Sequence, residues 1–183
     1  SQIEDLQRNL IRSHSVGVGP FFDEVTTRAV MILRANVIAM GYSGVRMEVL
    51  KRLVDMVNKE VHPLVPEQGS VGASGDLAPL AHLASVLVGE GEAIFHSKVM
   101  SGKKAMEKAR IPLLTLKAKE GLALVNGTQV MTAVGLLALL GRPAPLHARA
   151  VQLVGCRHLR LVVRLGEGRV GEDFGEGGQA SVL

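Results

Sequence analysis

A run of small residues leads into an apolar helical pattern at residues 69–83, which read GSVGASGDLAPLAHL. Three of the first seven residues are glycine, a density that indicates backbone in positions that a Cβ atom would block. Asp76 stands where an N-cap is expected, and Pro79 falls within the first helical turn, where a missing N–H costs little. We therefore predict a tight loop followed by a buried helix over residues 76–88.

Segments on both sides of this stretch have the apolar spacing of helices, so the predicted fold class is mainly α. We predict helices over residues 3–12, 23–40, 45–57, 101–110 and 114–140. Ser43 and Ser101 are predicted N-caps. Residues 92–100 alternate weakly and are predicted to form a small loop or hairpin. The last helix is expected to break at Asn126-Gly127-Thr128, which would place polar groups in the interior.

The last part of the chain, residues 141–183, has a different composition. It holds 8 of the 21 glycines and none of the lysines, and it shows no helical period. We therefore predict two parts: a helical domain at 1–140, and a Gly/Arg-rich tail at 141–183 that is disordered or non-native in sequence. A shifted reading frame would produce such a change in residue usage.

The sequence pI of about 9.5 raises the question of nucleic-acid binding. The basic excess is spread out, because residues 1–140 and residues 141–183 each carry a net charge of +2. Aromatic residues make up 3% of the chain, so few are present to stack on bases. We predict that nucleic acid is not a partner.

The single cysteine, Cys156, excludes an internal disulfide framework and is typical of a reducing compartment, so we expect a cytoplasmic protein. Charged residues such as Arg34 and Lys51 interrupt the apolar runs. We expect none of these runs to reach the roughly 20 residues that span a bilayer, and no membrane partner. The N-terminus has no signal-peptide pattern and no Met, from which we expect the chain to begin inside a longer protein.

The triad Ala73-Ser74-Gly75 has unusual chemical potential. The Gly75 nitrogen is unhindered and can attack the Ala73 carbonyl carbon, which closes a five-membered ring. Loss of water, including the Ser74 hydroxyl, leaves an exocyclic methylidene, an electrophile that no ordinary side chain supplies. Two simpler alternatives are a Gly-Ser turn ahead of a capped helix and an anion-binding loop. The sequence lacks the Gly-Lys-Ser/Thr ending of a P-loop.

Three blocks of the sequence resemble the aromatic amino acid lyase family, and most closely its histidine ammonia-lyase branch. The first is GSVGASGDLAPLAH at residues 69–82, which resembles the family's prosthetic-group signature. The others are KEGLALVNGTQ at 119–129 and LQRNL at 6–10, which leads to Ser13-His14. The resemblance covers residues 1–140, a minority of a full-length family chain. It implies a helical fragment of the fumarase/aspartase-like helical-bundle superfamily.

The resemblance implies a prosthetic group made from the chain itself. In the family, the triad that corresponds to Ala73, Ser74 and Gly75 cyclises to 4-methylideneimidazol-5-one. This electrophile supports the non-oxidative elimination of ammonia from L-histidine, which yields urocanate in the first step of histidine degradation. The implied site needs no external cofactor and no metal.

Residues around the triad also receive roles from the resemblance. Asn126 matches the family asparagine that lies beside the prosthetic group. Backbone N–H groups near Asp76 and Leu77 would polarise the ring carbonyl, in the manner of an oxyanion hole. Gln129 is either a support for the site or a helix-packing residue.

Two histidines are expected to differ in role. Ser13 and His14, which we predict in a loop after the first helix, match the pair found in the histidine-specific branch, and His14 would contact the substrate imidazole. The simpler alternative is that His14 is a solvated loop histidine without a functional role. His82 lies on the apolar helix behind the triad and is expected to be a hydrogen-bonded core histidine.

The family assembles its site from three subunits of a homotetramer, so the resemblance implies a homo-oligomer. The family's catalytic base and carboxylate-binding arginine find no match within residues 1–140. Two alternatives stay open: a phenylalanine or tyrosine ammonia-lyase, and a truncated, non-catalytic product that acts only as an interaction module. Residues 1–140 folded alone would expose apolar helix faces, so we expect instability or aggregation of the isolated chain.

Overall fold

The computed structural model describes residues 2–71 and 75–139, which form a mainly helical fold with two small antiparallel sheets. The elements of this described part follow in the order α1 Gln2–His14, β1 Val18–Phe21, α2 Glu24–Ala39, α3 Met47–Asn58, β2 His62–Pro63, β3 Pro66–Gln68, α4 Leu77–Leu87, β4 Glu92–Phe95, β5 Lys98–Ser101, α5 Gly102–Lys108, α6 Glu120–Val125 and α7 Gln129–Leu139. The mainly α fold class is confirmed. The predicted tail at 141–183 and the triad residues Ala73 and Ser74 lie outside the described residues.

Helix α4 is the most buried helix of an aliphatic core. Nine of its eleven residues are buried, and it contacts α1, α5 and α6. Helix α2 packs against α3 on one side and against α7 on another. The predicted buried helix over 76–88 is confirmed to within a residue at each end. Its apolar surface therefore fixes the start of α4 in the core.

The short strands of the described part form two antiparallel sheets. Strands β4 and β5 form the predicted hairpin, in which Glu92 pairs with Ser101 and Phe95 pairs with Lys98. Its two turn residues, His96 and Ser97, both have positive φ, as a tight two-residue hairpin turn requires. Strand β2 adds to the other edge of β4, whereas β1 pairs only with β3.

The predicted start of the third helix is wrong. The helix begins at Met47, not after Ser43, and its N-cap position is Arg46. The Arg46 N–H donates to Glu120 Oε1 at 3.0 Å, and its Nε donates to the same oxygen at 2.8 Å. This contact with a residue distant in sequence holds residue 46 in an extended conformation and delays the helix.

The predicted helix over 114–140 begins later than expected. Residues 112–116 are in no helix or strand. Leu114 and Leu116 are buried at alternate positions, and the Leu114 N–H donates to the Leu87 carbonyl at 2.8 Å. Helix α6 begins only at Glu120. Ser101 does precede α5 as predicted, but its side chain makes no capping hydrogen bond.

One apolar segment is longer than the sequence analysis allowed. By length and hydropathy alone, the 20 residues Glu120–Leu139 are long and apolar enough to cross a membrane. The break between α6 and α7 divides this segment into helices of 6 and 11 residues, each shorter than the roughly 20 residues that a span needs. Helix α7 packs on α2. The absence of a membrane partner stays a prediction.

Candidate active site

Asp76 is the N-cap residue of α4, as predicted, but its side chain does not cap that helix. Its side chain is 3% exposed and makes no hydrogen bond to its own helix. Instead, Oδ1 accepts a hydrogen bond from the Ser70 hydroxyl at 2.9 Å, and Oδ2 accepts one from the Met131 N–H at 2.9 Å. Met131 is in the first turn of α7, where N–H groups lack helical partners and favour an anion. Asp76 therefore holds the predicted N-cap position of α4, but its side chain caps α7 instead.

Gly75, the last residue of the triad, is pressed against the break between α6 and α7. It has a φ of +99°, and a Cβ atom placed on it would lie 2.5 Å from the Gly127 carbonyl oxygen. The same oxygen accepts a hydrogen bond from the Asp76 N–H at 2.6 Å. Only glycine fits this position, because both the backbone angle and the space exclude a side chain. The Asp76 N–H is therefore already engaged, and polarisation of a ring carbonyl by Leu77 stays a prediction.

These contacts allow a test of whether the described residues fit the prosthetic group implied above. Cyclisation is favoured by a residue without a Cβ atom beside the attacking nitrogen, and the structure leaves no room for a Cβ atom on Gly75. Asp76, which follows the triad, is held by hydrogen bonds at both its N–H and its carboxylate. The C-terminal side of the triad is thus held rigidly, and the residues present fit the group.

Asn126 lies at the end of α6, where its N–H donates to the Leu122 carbonyl at 3.0 Å. Its backbone is extended, so the helix stops there as predicted. The break was expected to place polar groups in the interior; Gln129 is buried, whereas Asn126 itself is exposed in the described structure. Its backbone neighbour Gly127, rather than its side chain, makes the described contact with the loop.

Gln129 begins α7 and is 7% exposed. Its Oε1 accepts a hydrogen bond from Arg34 Nη1 at 2.8 Å. Arg34 comes from the middle of α2, is 1% exposed, and also donates through Nη2 to the Ala123 carbonyl in α6. Gln129 is therefore buried and linked to the break, and its role as a support for the site stays a prediction.

Ser13 and His14 lie in the last turn of α1, not in a loop as predicted. The Ser13 hydroxyl donates to the Leu10 carbonyl at 2.9 Å, and His14 Nδ1 lies 2.8 Å from the same oxygen. The helix continues through both residues because their side chains bond back to the preceding turn. A carbonyl can only accept, so Nδ1 carries the hydrogen in that contact, and the neutral ring keeps a lone pair on Nε2.

The loop after His14 is held against α4. The Gly17 N–H donates to His82 Nε2 at 3.1 Å, and a Cβ atom on Gly69 would lie 3.0 Å from Gly17 Cα. Burial lowers the pKa of His82, which favours the neutral ring that accepts this bond. The hydrogen-bonded role of His82 is confirmed, although the side chain is half-buried.

A family model for aromatic amino acid lyases matches residues 1–154. The chain belongs to the aromatic amino acid lyase family. Among curated relatives, the histidine ammonia-lyase of Alkaliphilus oremlandii is 60% identical over 137 residues, which are 75% of this chain and 27% of that protein. The histidine ammonia-lyase of Myxococcus xanthus is 59% identical over 135 residues, 74% of this chain and 27% of that protein.

Solved structures of the aromatic amino acid lyase family share the fold. Histidine ammonia-lyase from Trypanosoma cruzi superposes with a TM-score of 0.73 at 42% identity, over 76% of this chain and 27% of that one. Phenylalanine aminomutase of Pantoea agglomerans superposes with a TM-score of 0.72 at 40% identity, over 75% and 26%. The chain spans about a quarter of the length of the curated relatives it matches.

In this member of the family, the described site is therefore a set of supporting contacts around one end of the triad. Gly75, Asp76, Gly127, Gln129 and Met131 are brought together. The described side-chain hydrogen bonds of Ser13 and His14 stay within α1. Within residues 2–71 and 75–139, no three His, Cys, Asp or Glu residues lie close enough to hold a metal ion.

Arg34 is one of the site residues that the sequence did not indicate. It was seen there only as a charge that interrupts an apolar run. The available signal was a cation in the middle of a helix whose neighbours Val30 and Ile38 are core residues. A buried charge is costly unless it is bonded, so such a position indicates a specific partner.

Proposed function

We propose that this chain is the part of a histidine ammonia-lyase that carries the prosthetic-group triad. Ala73, Ser74 and Gly75 would form 4-methylideneimidazol-5-one, with no external cofactor. This group supplies an electrophile for the elimination of ammonia from L-histidine, which yields urocanate. The observation that carries the proposal is the close approach of Gly75 to Gly127, where a Cβ atom would lie 2.5 Å from the carbonyl oxygen. The similarity to histidine ammonia-lyases at 54–62% identity supports the substrate.

The residues of this chain would hold and orient rather than transfer protons. Asp76 and Gly127 fix the backbone that follows the triad, through the 2.6 Å hydrogen bond between them. Holding reacting groups in position can lower a barrier substantially, because the entropy of bringing them together is lost beforehand. The described contacts therefore support ring closure more directly than they support the later elimination.

Histidine specificity would come from His14. Its Nδ1–H donates to the Leu10 carbonyl, so the Nε2 lone pair is available to accept an N–H from the substrate imidazole. A phenyl or phenol ring offers no N–H at that place. A site that leaves a polar group unpaired discriminates strongly against such a substrate.

Assembly as a homotetramer in the cytoplasm belongs to the same proposal. Several large apolar side chains are exposed in the described part, including Val18, Phe21, Met131, Val134 and Leu139. A surface of this kind favours burial against further protein. The site would then be completed by residues beyond those described.

Because this chain spans about a quarter of the length of its relatives, the proposed function is tested in a chimera with one of them. The 137 matched residues of this chain would replace the corresponding segment of the Alkaliphilus oremlandii enzyme, and urocanate formation would be followed by its ultraviolet absorbance. We expect turnover of L-histidine, loss of turnover in Ser74→Ala, and weakened histidine binding in His14→Leu. A folded chimera that prefers phenylalanine or tyrosine would support the alternative substrate class. A folded chimera without any lyase activity would contradict the proposal.

A further inference from the structure

Arg34 is a fully buried cation whose described partners are all neutral. The side chain is 1% exposed, and its two hydrogen bonds go to the amide oxygen of Gln129 and the backbone carbonyl of Ala123. Its Nε finds no partner among the described residues. Burial lowers the pKa of Arg34 to about 10, so the group is still charged at neutral pH. A charge buried without a counter-charge is a poor way to stabilise a fold.

The two partners of Arg34 lie on opposite sides of one break. Ala123 is in the last turn of α6, where carbonyl groups lack helical partners and attract a cation. Gln129 is the first residue of α7. The planar guanidinium donates one hydrogen bond to each, which a single point charge does less well. Arg34 therefore bridges the end of one helix and the start of the next.

The bridge sets the position of Gly127, which lies between those two partners. A Cβ atom on Gly127 would lie 2.4 Å from Arg34 Nη1 and 2.1 Å from Gln129 Oε1. The backbone of Gly127 is thus in close contact with the bridged pair on one side. On its other side, its carbonyl oxygen accepts the Asp76 N–H and lies against Gly75.

We propose that Arg34 is a positioning residue for the triad, because it clamps the break between α6 and α7 and thereby aims the Gly127 carbonyl at Asp76 and Gly75. The proposal deepens the proposed function and rests on it for the chemical consequence. The order of contacts runs from Arg34 to Gln129 and Ala123, then to Gly127, and then to Asp76.

Hydrogen exchange of the Asp76 amide tests this order without relying on activity. The full 183-residue chain would be compared with Arg34→Met, which keeps an apolar stem and removes the bridge. Arg28→Met is the matched control, since Arg28 is on the same helix and donates to the Val57 carbonyl at 2.7 Å, away from the break. We expect exchange at Asp76 to rise about tenfold or more in Arg34→Met and to change little in Arg28→Met. Unchanged exchange at Asp76 in a folded Arg34→Met protein would overturn the proposal.

Two further variants separate the bridge from charge and from global stability. Arg34→Lys keeps the positive charge but not the planar guanidinium that donates to both partners, so we expect exchange at Asp76 to stay fast. Exchange as slow as in the wild type would show that charge alone suffices, and would contradict the proposed bridge. Gln129→Met removes only the arm to α7 and provides a milder test if Arg34→Met does not fold. An intermediate rise at Asp76 and Met131 supports the proposal, and unchanged exchange at both contradicts it.

Ring formation gives the second readout. Denatured intact masses would show the fraction of each variant that has lost two waters, and Arg34→Met should show a smaller dehydrated fraction than Arg28→Met. If the wild-type chain shows no dehydration, the proposed function fails for this chain. The exchange comparison at Asp76 then still decides whether Arg34 positions Gly127.

Discussion

Each end of helix α6 is bound by an arginine from another part of the chain, but the two arginines differ in the charge of their acceptors. At the start, Glu120 is 1% exposed and accepts hydrogen bonds from Arg46 through both carboxylate oxygens, at 2.8 and 2.9 Å. The Lys117 N–H donates to it as well, at 2.7 Å. At the end, Arg34 has only an amide and a carbonyl as described acceptors.

This difference separates a contact that stabilises from one that orients. A carboxylate that accepts several charge-assisted bonds fixes a loop firmly, and Arg46 ties residues 115–120 to the start of α3. A buried cation with neutral acceptors stabilises the fold less, but its hydrogen bonds fix the orientation of the Gln129 amide and the Ala123 carbonyl. The start of α6 therefore secures the fold, whereas its end sets the geometry beside Gly75.

Loss of the cation at the start of α6 should have the largest effect on stability. Arg46→Met leaves the Glu120 carboxylate buried without its counter-charge, so we expect destabilisation near the lower end of the roughly 3–5 kcal/mol typical of a broken buried pair. The lower end applies because the Arg46 side chain is 40% exposed and water can partly replace it. Chemical denaturation measures this, and the double variant with Glu120→Gln should recover part of the loss. No change in the unfolding midpoint would contradict the assignment of stability to this end.

A methyl group at the end of α6 should act on geometry and cost less. In Gly127→Ala the added carbon would displace the Arg34–Gln129 hydrogen bond, for which we expect a cost of about 1–3 kcal/mol. Gly135→Ala is the matched control in α7, because a Cβ atom there meets nothing within 4 Å. The control should be stabilising by up to about 1 kcal/mol, as alanine favours a helix over glycine. Equal effects of the two substitutions would show that the space beside Gly127 is not restricted and would contradict this role of the end of α6.

Acid should loosen the start of α6 before its end. Burial raises the pKa of Glu120, but hydrogen bonds from Arg46 and from the Lys117 and Arg46 N–H groups outweigh it, and the pKa is lowered overall. A carboxyl pKa lowered by folding contributes stability that is present above the ordinary value of about 4.3 and is lost as pH falls through the lowered value. Unfolding midpoints measured between pH 7 and pH 3 should therefore fall at the acid end, and less so in Glu120→Gln. A parallel pH profile in the two proteins would contradict this role of Glu120.

The exposed ion pair between Arg12 and Glu90 should contribute least to stability. Arg12 donates to Glu90 at 2.6 Å, a short contact, yet the Arg12 side chain is 55% exposed. Exposed pairs contribute little because water and salt screen them. We expect Arg12→Ala to leave the unfolding midpoint nearly unchanged at 0.15 M salt. A loss comparable to that in Arg46→Met would show that burial is not what separates these pairs.

The sequence predicted the elements whose cause is local. The buried helix after Asp76 follows from its apolar residues, and the hairpin of β4 and β5 follows from alternation and a tight turn. The start of α3 was mispredicted because Arg46 is bound to Glu120, which lies far away in sequence. Periodicity contains no information on such a contact.

The site was predicted in part for the same reason. The triad and Gly127 were singled out by their residue types, but the partners of Asp76 were not, because its carboxylate caps α7 rather than its own helix. Arg34 was missed because its role depends on two residues that only the folded chain brings to it. Long-range polar contacts, rather than helical patterns, decide the arrangement beside Gly75.

The most direct test of the central claim is the intact mass of the denatured chain, compared with that of Ser74→Ala. The account predicts that the wild-type chain is lighter than its sequence mass by two water molecules. It also predicts that a proteolytic fragment containing Ala73-Ser74-Gly75 carries the whole loss, and that Ser74→Ala retains its full sequence mass. A wild-type chain at its full sequence mass would contradict the account.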